Sequence, residues 1–333
     1  VRGIRVTTRC RVDLAGGTLD IWPLGLLHPG ATTVNVAVEL PVRVALAPRE
    51  AGYSVRQGTE RREVDHPRRL ASDPRTSLVA LVLEAERVAP CDLTLSSASP
   101  PGAGLGASSA LTVALLAAAE LAREGTLTRT VDERSAAARD LEARLMSLPT
   151  GRQDHFPAQL GGVLALEHLP GGERVGRLGV DLDGLGERLL VAYTGQSHFS
   201  AGQNWQVVRG RLDGDPQVAA RFDAIRDVAL EMVAALKTAD WPLVGNLLAA
   251  EWRARRELAE GISTPGIEAL LDLAREHGAW GGKACGAGGG GSVAVLCPPE
   301  RRGGLAAAWR AAGARVLDAR PTGTGLEAED GIS

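Results

Sequence analysis

Lysine is nearly missing from this chain. Of its 37 basic residues only Lys237 and Lys283 are lysines, and arginine is used almost everywhere else. A lysine kept against that bias suggests a place where a compact ammonium suits better than a planar guanidinium. Paired cysteine motifs are missing too. Cys10, Cys91, Cys285 and Cys297 form no CxxC pair and match no zinc spacing, so free thiols in a reducing compartment are expected. The six histidines show no metal-ligand spacing. There is no cationic excess: the net charge of −3 argues against binding to nucleic acid, although a local basic pocket for a small phosphate is compatible with it. The longest apolar run, Leu111–Ala119, is too short to span a membrane, and Val1–Arg11 holds no signal-type apolar stretch. A cytoplasmic protein without a membrane partner is expected.

What the chain does have is length and apolar content. A chain of 333 residues with 44% hydrophobic residues suits two domains of ordinary size. Strands are expected at Ile4–Asp13, at Thr32–Leu46 with a break at Pro41, and at Asp92–Ser97. Arg49–Arg69 could hold an exposed hairpin. Helices are expected at Ser77–Val88, Ser108–Arg123 and Asp132–Met146. Pro149–Gly162 is a polar loop or helix start, and strands follow at Val163–His168, Val175–Leu182 and Leu189–Thr194. Three helical stretches come next: Pro216–Ala239, Trp241–Glu260 and Gly266–His277. A glycine-rich segment then leads into the strand Ser292–Cys297, the helix Arg301–Ala312 and a last strand, Ala314–Arg320. Helices and strands do not alternate regularly, so the order predicts an α+β fold rather than a doubly wound parallel sheet. The domain division is expected near residue 190, giving segments 1–190 and 191–333.

Two glycine-rich loops carry chemistry. The first, Pro100–Ala110, joins a strand to a helix. Gly102, Gly104 and Gly106 let backbone N–H groups turn toward a ligand, and the helix start adds unsatisfied N–H groups and a positive dipole end. Ser108 and Ser109 add hydroxyls that could reach a phosphate or a phosphate-bound Mg²⁺. A tight turn with serine caps is the alternative for the loop alone. A Walker A loop is excluded because no lysine is present. A dinucleotide fingerprint at Gly102, Gly104 and Ala107 fits poorly, because the acidic residue at the right distance, Glu120, lies in the helix. The second loop, Gly281–Gly291, contains Lys283. So many glycines before a strand imply a close backbone approach to something.

Together these segments resemble the GHMP kinases. Pro100–Ala110 is similar to the family's central phosphate-binding motif, Lys283–Gly291 to its C-terminal glycine-rich motif, and Arg11–Asp20 to its N-terminal motif, in the family's order. The Ala-Gly-Gly-Thr…Asp form of Ala15–Asp20 resembles the branch that holds heptose 7-phosphate kinases and fucokinase domains. So do Gly151-Arg152-Gln153-Asp154-His155-Phe156 with Gly161-Gly162, and Tyr193-Thr194-Gly195 with Ser200. Ala107 stands where a serine is usual, Arg152 where a lysine is usual and His155 where a glutamine is common. Gly-Gly-Thr-Leu-Asp appears where Gly-Gly-Gly-Thr-Asp is expected.

The resemblance implies an N-terminal domain like ribosomal protein S5 domain 2 and a ferredoxin-like C-terminal domain, with ATP and Mg²⁺ between them. It implies phosphorylation of an anomeric hydroxyl, with a heptose 7-phosphate as leading substrate and fucose or another free sugar as runner-up. A non-catalytic sugar and ATP sensor on the same fold is the alternative from another class. The implied catalytic residues are Asp154, as base or orienting carboxylate, and Arg11 beside it. Pro101, Gly102, Ala103, Gly104, Leu105, Gly106, Ala107, Ser108, Ser109, Gly288 and Gly289 would bind ATP phosphates. Ser108 and Glu142 would bind the metal. Gly16, Gly17, Thr18, Asp20, Asp154, Gly162, His198 and Lys283 would contact the sugar. Arg152, Arg209 and Arg211 are candidates to meet a remote phosphate. His28, His66, His168 and His277 read as surface residues, and Trp205, Trp241, Trp252 and Trp280 as core. The expected partner is a small-molecule sugar or sugar phosphate. A homodimer stays open.

Overall fold

The computed structural model describes residues 3–196 and 201–332. The chain opens with β1 (Gly3–Ala15), the short α1 (Leu24–Leu27) and the long β2 (Thr32–Pro48). β1 and β2 pair antiparallel, and their register slips between Arg9 and Cys10, opposite the Val38–Pro41 stretch. Pro41 has no N–H to donate, and a bulge is where a strand tolerates that loss. Pro41 also divides β2 by partner. The hairpin of β3 (Tyr53–Gln57) and β4 (Glu60–Val64) follows, then α2 (Ser77–Ala85) and β5 (Cys91–Ser97). Residues 42–48 of β2 pair with β5, and residues 32–36 pair with a later strand.

Helices α3 (Ala107–Glu124) and α4 (Val131–Met146) come next, then α5 (His155–Leu160) and the hairpin of β6 (Val163–Leu169) and β7 (Gly172–Leu178). β6 is the strand that pairs with the first half of β2. α3 is rich in alanine and leucine and is buried almost throughout from Ser109 to Leu121. Its small side chains let it lie against β1 and β2 on one side and α4 on the other. α4 begins with a reciprocal cap: Thr130 Oγ1 accepts from the Glu133 N–H, and the Glu133 carboxylate accepts from the Thr130 N–H.

After α6 (Leu182–Gly186) the chain builds a second sheet, starting with β8 (Leu189–Tyr193). Four helices follow: α7 (Ala201–Leu212), α8 (Pro216–Lys237), α9 (Trp241–Arg255) and α10 (Pro265–Glu276). Then come β9 (Gly281–Ala284), β10 (Ser292–Leu296), α11 (Pro299–Ala311), β11 (Arg315–Leu317) and β12 (Glu327–Ile332). The second sheet has the order β11-β8-β10-β9 and is antiparallel throughout. In the first sheet, of order β12-β1-β2-β5-β3-β4 with β6 and β7 attached to β2, only the β3–β5 pairing is parallel. This is the expected mixed architecture of two sheets with separate helices.

A single cut at residue 190 does not match the sheets. It falls inside β8, and β12 returns to pair with the first strand of the chain. β12 is acidic and meets arginines of β1: Arg9 Nη2 lies 2.7 Å from Glu327, and Arg5 Nη1 3.5 Å from Glu329. No helix among the described residues is long and apolar enough to cross a membrane. Two of the histidines expected at the surface are buried. His168 bonds Thr33 Oγ1 at 2.8 Å, and burial lowers its pKa to about 4; His28 bonds Asp223 at 2.8 Å. Of the four tryptophans expected in the core, Trp205 is exposed and Trp280 is half-buried.

Candidate active site

The loop between β5 and α3 has the geometry of an anion site. Gly106 is the N-cap of α3 at φ 71°, and no side chain caps the helix. Its first-turn N–H groups are therefore open to a ligand, with the positive end of the helix behind them. Serine capping does not occur: Ser109 Oγ donates to Glu142 at 3.1 Å, and Ser108 is exposed. Leu105 anchors the loop. Its side chain is fully buried, worth roughly 1.5–3 kcal/mol, and its carbonyl accepts from the Arg11 N–H at 2.9 Å. Gly104 explains the second glycine-rich loop. A Cβ on Gly104, at φ 73°, would lie 2.5 Å from the Cys285 carbonyl oxygen. Gly286 and Gly291 likewise lie against Gly104 and Ala103. The two loops pack backbone to backbone, and side chains would drive them apart.

Beside the helix start stands an ion pair. Arg11 Nε and Nη2 both reach Asp154 Oδ1, at 2.8 and 2.7 Å, and Nη1 donates to the Gly104 carbonyl at 2.6 Å. Burial alone would lower the Arg11 pKa, but Asp154 and Asp13 outweigh it and raise it, so the guanidinium stays charged. Asp154 Oδ2 receives no donor among the described residues and points to Gly106, where a Cβ would lie 3.3 Å away. A free carboxylate oxygen thus sits at the mouth of the anion site.

The N-terminal motif wraps around the same place. Its turn is closed by Leu19 N–H to the Gly16 carbonyl and Ile21 N–H to the Thr18 carbonyl, at 3.3 and 3.0 Å. Gly16 lies so flat on β2 that a Cβ would fall 1.9 Å from the Thr32 carbonyl oxygen. Asp20 Oδ2 accepts from the Gln153 N–H at 3.0 Å. Burial pushes the Asp20 pKa up to about 6, opposed by that N–H and reinforced by Asp154 and Asp13. Four buried oxygens around this loop have no donor among the described residues: Asp13 Oδ1, Asp20 Oδ1, Asn35 Oδ1 and Gln153 Oε1. Buried acceptors normally have partners. A ligand with several hydroxyl donors would satisfy them.

Comparison with known proteins decides the family. The model for the GHMP kinases N terminal domain matches residues 75–162, and that for GHMP kinases C terminal matches residues 232–315. Together they cover just over half of the chain. It belongs to the GHMP kinases. As a GHMP kinase it is an ATP-using enzyme. It is 26% identical to a D-glycero-alpha-D-manno-heptose 7-phosphate kinase of Campylobacter jejuni over 98% of this chain and 99% of that one. It is 25% identical to an L-fucokinase/L-fucose-1-P guanylyltransferase of Bacteroides fragilis, over 86% of this chain but only 34% of that longer one. In fold it is similar to Lactococcus lactis galactokinase complexed with galactose, with a TM-score of 0.79, 14% identity, and 98% and 95% of the two chains covered.

Several residues of this GHMP kinase stand apart from the roles the motifs implied. Lys283 has its ammonium in ion pairs. It is completely buried, 2.9 Å from Asp13 Oδ2 and 3.1 Å from Glu251 Oε1. Gly162 bonds Thr322 and Ala37 and packs on Arg177. Gly288 and Gly289 lie on Ile262 instead of the phosphate loop. Arg152 is spent on Asp132 and Glu173, at 2.5 and 2.6 Å, and its guanidinium covers the Phe156 ring. Arg211 bonds His28 and Leu27, while Arg209 is exposed beside Asp213. His198 and Ser200 lie outside the described residues.

The family also implies Mg²⁺, and the donor set fits it unevenly. Ser108 offers an exposed hydroxyl at the helix start. Glu142 is a poor direct ligand: Oε1 accepts from Thr112 at 2.7 Å, and Oε2 from Ser109 and His155 at 3.1 and 3.2 Å. Burial raises the Glu142 pKa, but His155 and the two hydroxyls outweigh it and hold the group ionised. Burial lowers the His155 pKa, but the neighbouring Glu142 carboxylate outweighs it and raises it. No group of three or more ligating side chains occurs among the described residues.

Two further residues at the site, Glu251 and Arg255, are not signalled by any motif. Arg255 is buried, and donates to the Gly17 carbonyl at 2.7 Å, to Thr18 Oγ1 at 3.0 Å and to Glu251 at 2.8 Å.

Proposed function

We propose that the protein transfers the γ-phosphoryl group of ATP to the anomeric hydroxyl of a sugar. The leading acceptor is D-glycero-D-manno-heptose 7-phosphate, giving the 1,7-bisphosphate. One observation carries the transfer: a carboxylate clamped by Arg11 through one oxygen, with its other oxygen free beside the open N-terminus of α3. In this reading the Pro101–Ser109 loop and the first turn of α3 hold the phosphates. The unpaired oxygens of Asp13, Asp20, Asn35 and Gln153 take sugar hydroxyls. Asp154 Oδ2 accepts the proton as the hydroxyl oxygen bonds the γ-phosphorus and the bond to the ADP oxygen breaks. Arg11 holds Asp154 in place and offsets charge on the transferred group. The Mg²⁺ expected with the nucleotide would meet Ser108 rather than Glu142.

The choice of heptose phosphate rests on the motif forms and on the Campylobacter jejuni relative. A kinase of fucose or another free sugar is the second reading. It is favoured by Arg152, whose guanidinium is already neutralised and so offers nothing to a remote phosphate. Coupled ADP release across paired free and phosphorylated sugars separates the two. Turnover confined to sugars without a remote phosphate would remove the heptose phosphate. Tight ATP binding with no turnover on any sugar would instead favour the sensor.

A further inference from the structure

The N-terminal motif loop is held from the other side of the molecule by a buried chain of alternating charges. Asp13 on β1 pairs with Lys283 on β9, Lys283 with Glu251 on α9, and Glu251 with Arg255 at the end of that helix. All four are buried. Arg255 then reaches past Glu251 to the Gly17 carbonyl and the Thr18 hydroxyl. Thr18 is where the loop needs holding. Its φ is 75°, left-handed backbone that a β-branched residue resists, and it stands where the family pattern has glycine. A threonine here would relax toward ordinary backbone unless something fixed it.

We propose that Arg255 is a positioning residue that clamps Thr18 in this conformation and so sets the sugar-facing loop from α9. The link to the sugar rests on the function proposed above; the clamp itself does not. With the loop set, Gly17 stays close to the Asp13 carboxylate, and Asp20 stays on the Gln153 N–H. The arrangement joins the phosphate side and the sugar side through one buried network, because Lys283 belongs to the strand that leads into the glycine-rich loop behind the phosphates.

Hydrogen exchange of the Leu19 and Ile21 amides reports the clamp without any substrate. Arg255→Lys keeps the buried charge but loses the fork. It should speed exchange at both amides about tenfold, and raise the sugar KM about tenfold with the ATP KM and kcat within about twofold. Thr18→Val leaves all four charges in place and exchanges the hydroxyl for a methyl group, so it serves if Arg255→Lys does not fold. It should loosen the same two amides. In a Thr18→Gly background the strain is gone, and Arg255→Lys should change exchange far less. Unchanged protection in both Arg255→Lys and Thr18→Val would overturn the clamp. So would equal loosening by Arg255→Lys with threonine and with glycine at position 18. Loosened amides in a protein whose wild type phosphorylates no sugar would uphold the clamp and remove the sugar reading.

Discussion

Asp20 carries a cost that exposes its role. Its folded pKa of about 6 lies above the ordinary 3.8, so the folded state holds that proton more tightly than the unfolded chain does. The stability this gives is full below the ordinary value. It is lost as pH rises through about 6 and does not return at higher pH. Asp20→Asn removes the penalty and should stabilise the protein by about 1–3 kcal/mol at pH 7, with no gain at pH 3.5. Thermal melts at the two values check this, and an equal gain at both would contradict it. The same variant should lose sugar affinity, since an ionised acceptor is exchanged for a neutral one. For a sugar without a phosphate, which does not itself titrate there, KM should fall in the wild type as pH rises through about 6 and lose that fall in Asp20→Asn. Arg255 shows why residues of this kind escape a reading of sequence. It is one of many arginines, and Glu251 four positions earlier makes the pair read as a solvated helix face. Only the fold shows both to be buried.

At the scale of elements, the loop before α3 packs backbone to backbone on a second glycine-rich segment. Gly104→Ala would put a methyl group into the Cys285 carbonyl and force alanine into left-handed backbone. A loss of about 1–3 kcal/mol in stability and weaker ATP binding are expected, both readable by melts with and without nucleotide. Preserved ATP affinity would contradict the backbone-to-backbone joint. The loop itself was legible because its chemistry is local: glycines, a strand before and a helix after. Helices α8, α9 and α10 were legible as helical stretches for the same reason, whereas the polar Arg49–Arg69 stretch, which holds β3 and β4, was legible only as room for an exposed hairpin. β12 was not. Its sequence, Glu327–Ile332, is half acidic, and its partners are arginines on β1 more than three hundred positions earlier. β9 was hidden inside a glycine run whose pairing with β10 no local pattern reveals.

At the scale of the whole molecule, the two sheets meet where chemistry is needed. β1 supplies Arg11 and Asp13, β9 supplies Lys283, and α9 supplies Glu251 and Arg255. Motif order brought Asp154, Arg11 and the phosphate loop together on paper, and the geometry joins them within hydrogen-bonding distance. Lys283, implied at the sugar by its motif, is buried in ion pairs with Asp13 and Glu251, and burial and pairing are invisible to spacing. In the proposed reaction Asp154 acts on an acceptor hydroxyl at the end of α3. Sugar-dependent ADP release by wild type and Asp154→Asn, with ATP affinity measured in parallel, tests it most directly. Asp154→Asn is expected to lower kcat by about 10²–10⁴-fold while ATP binding stays near that of the wild type. Turnover by Asp154→Asn at the wild-type rate would contradict it.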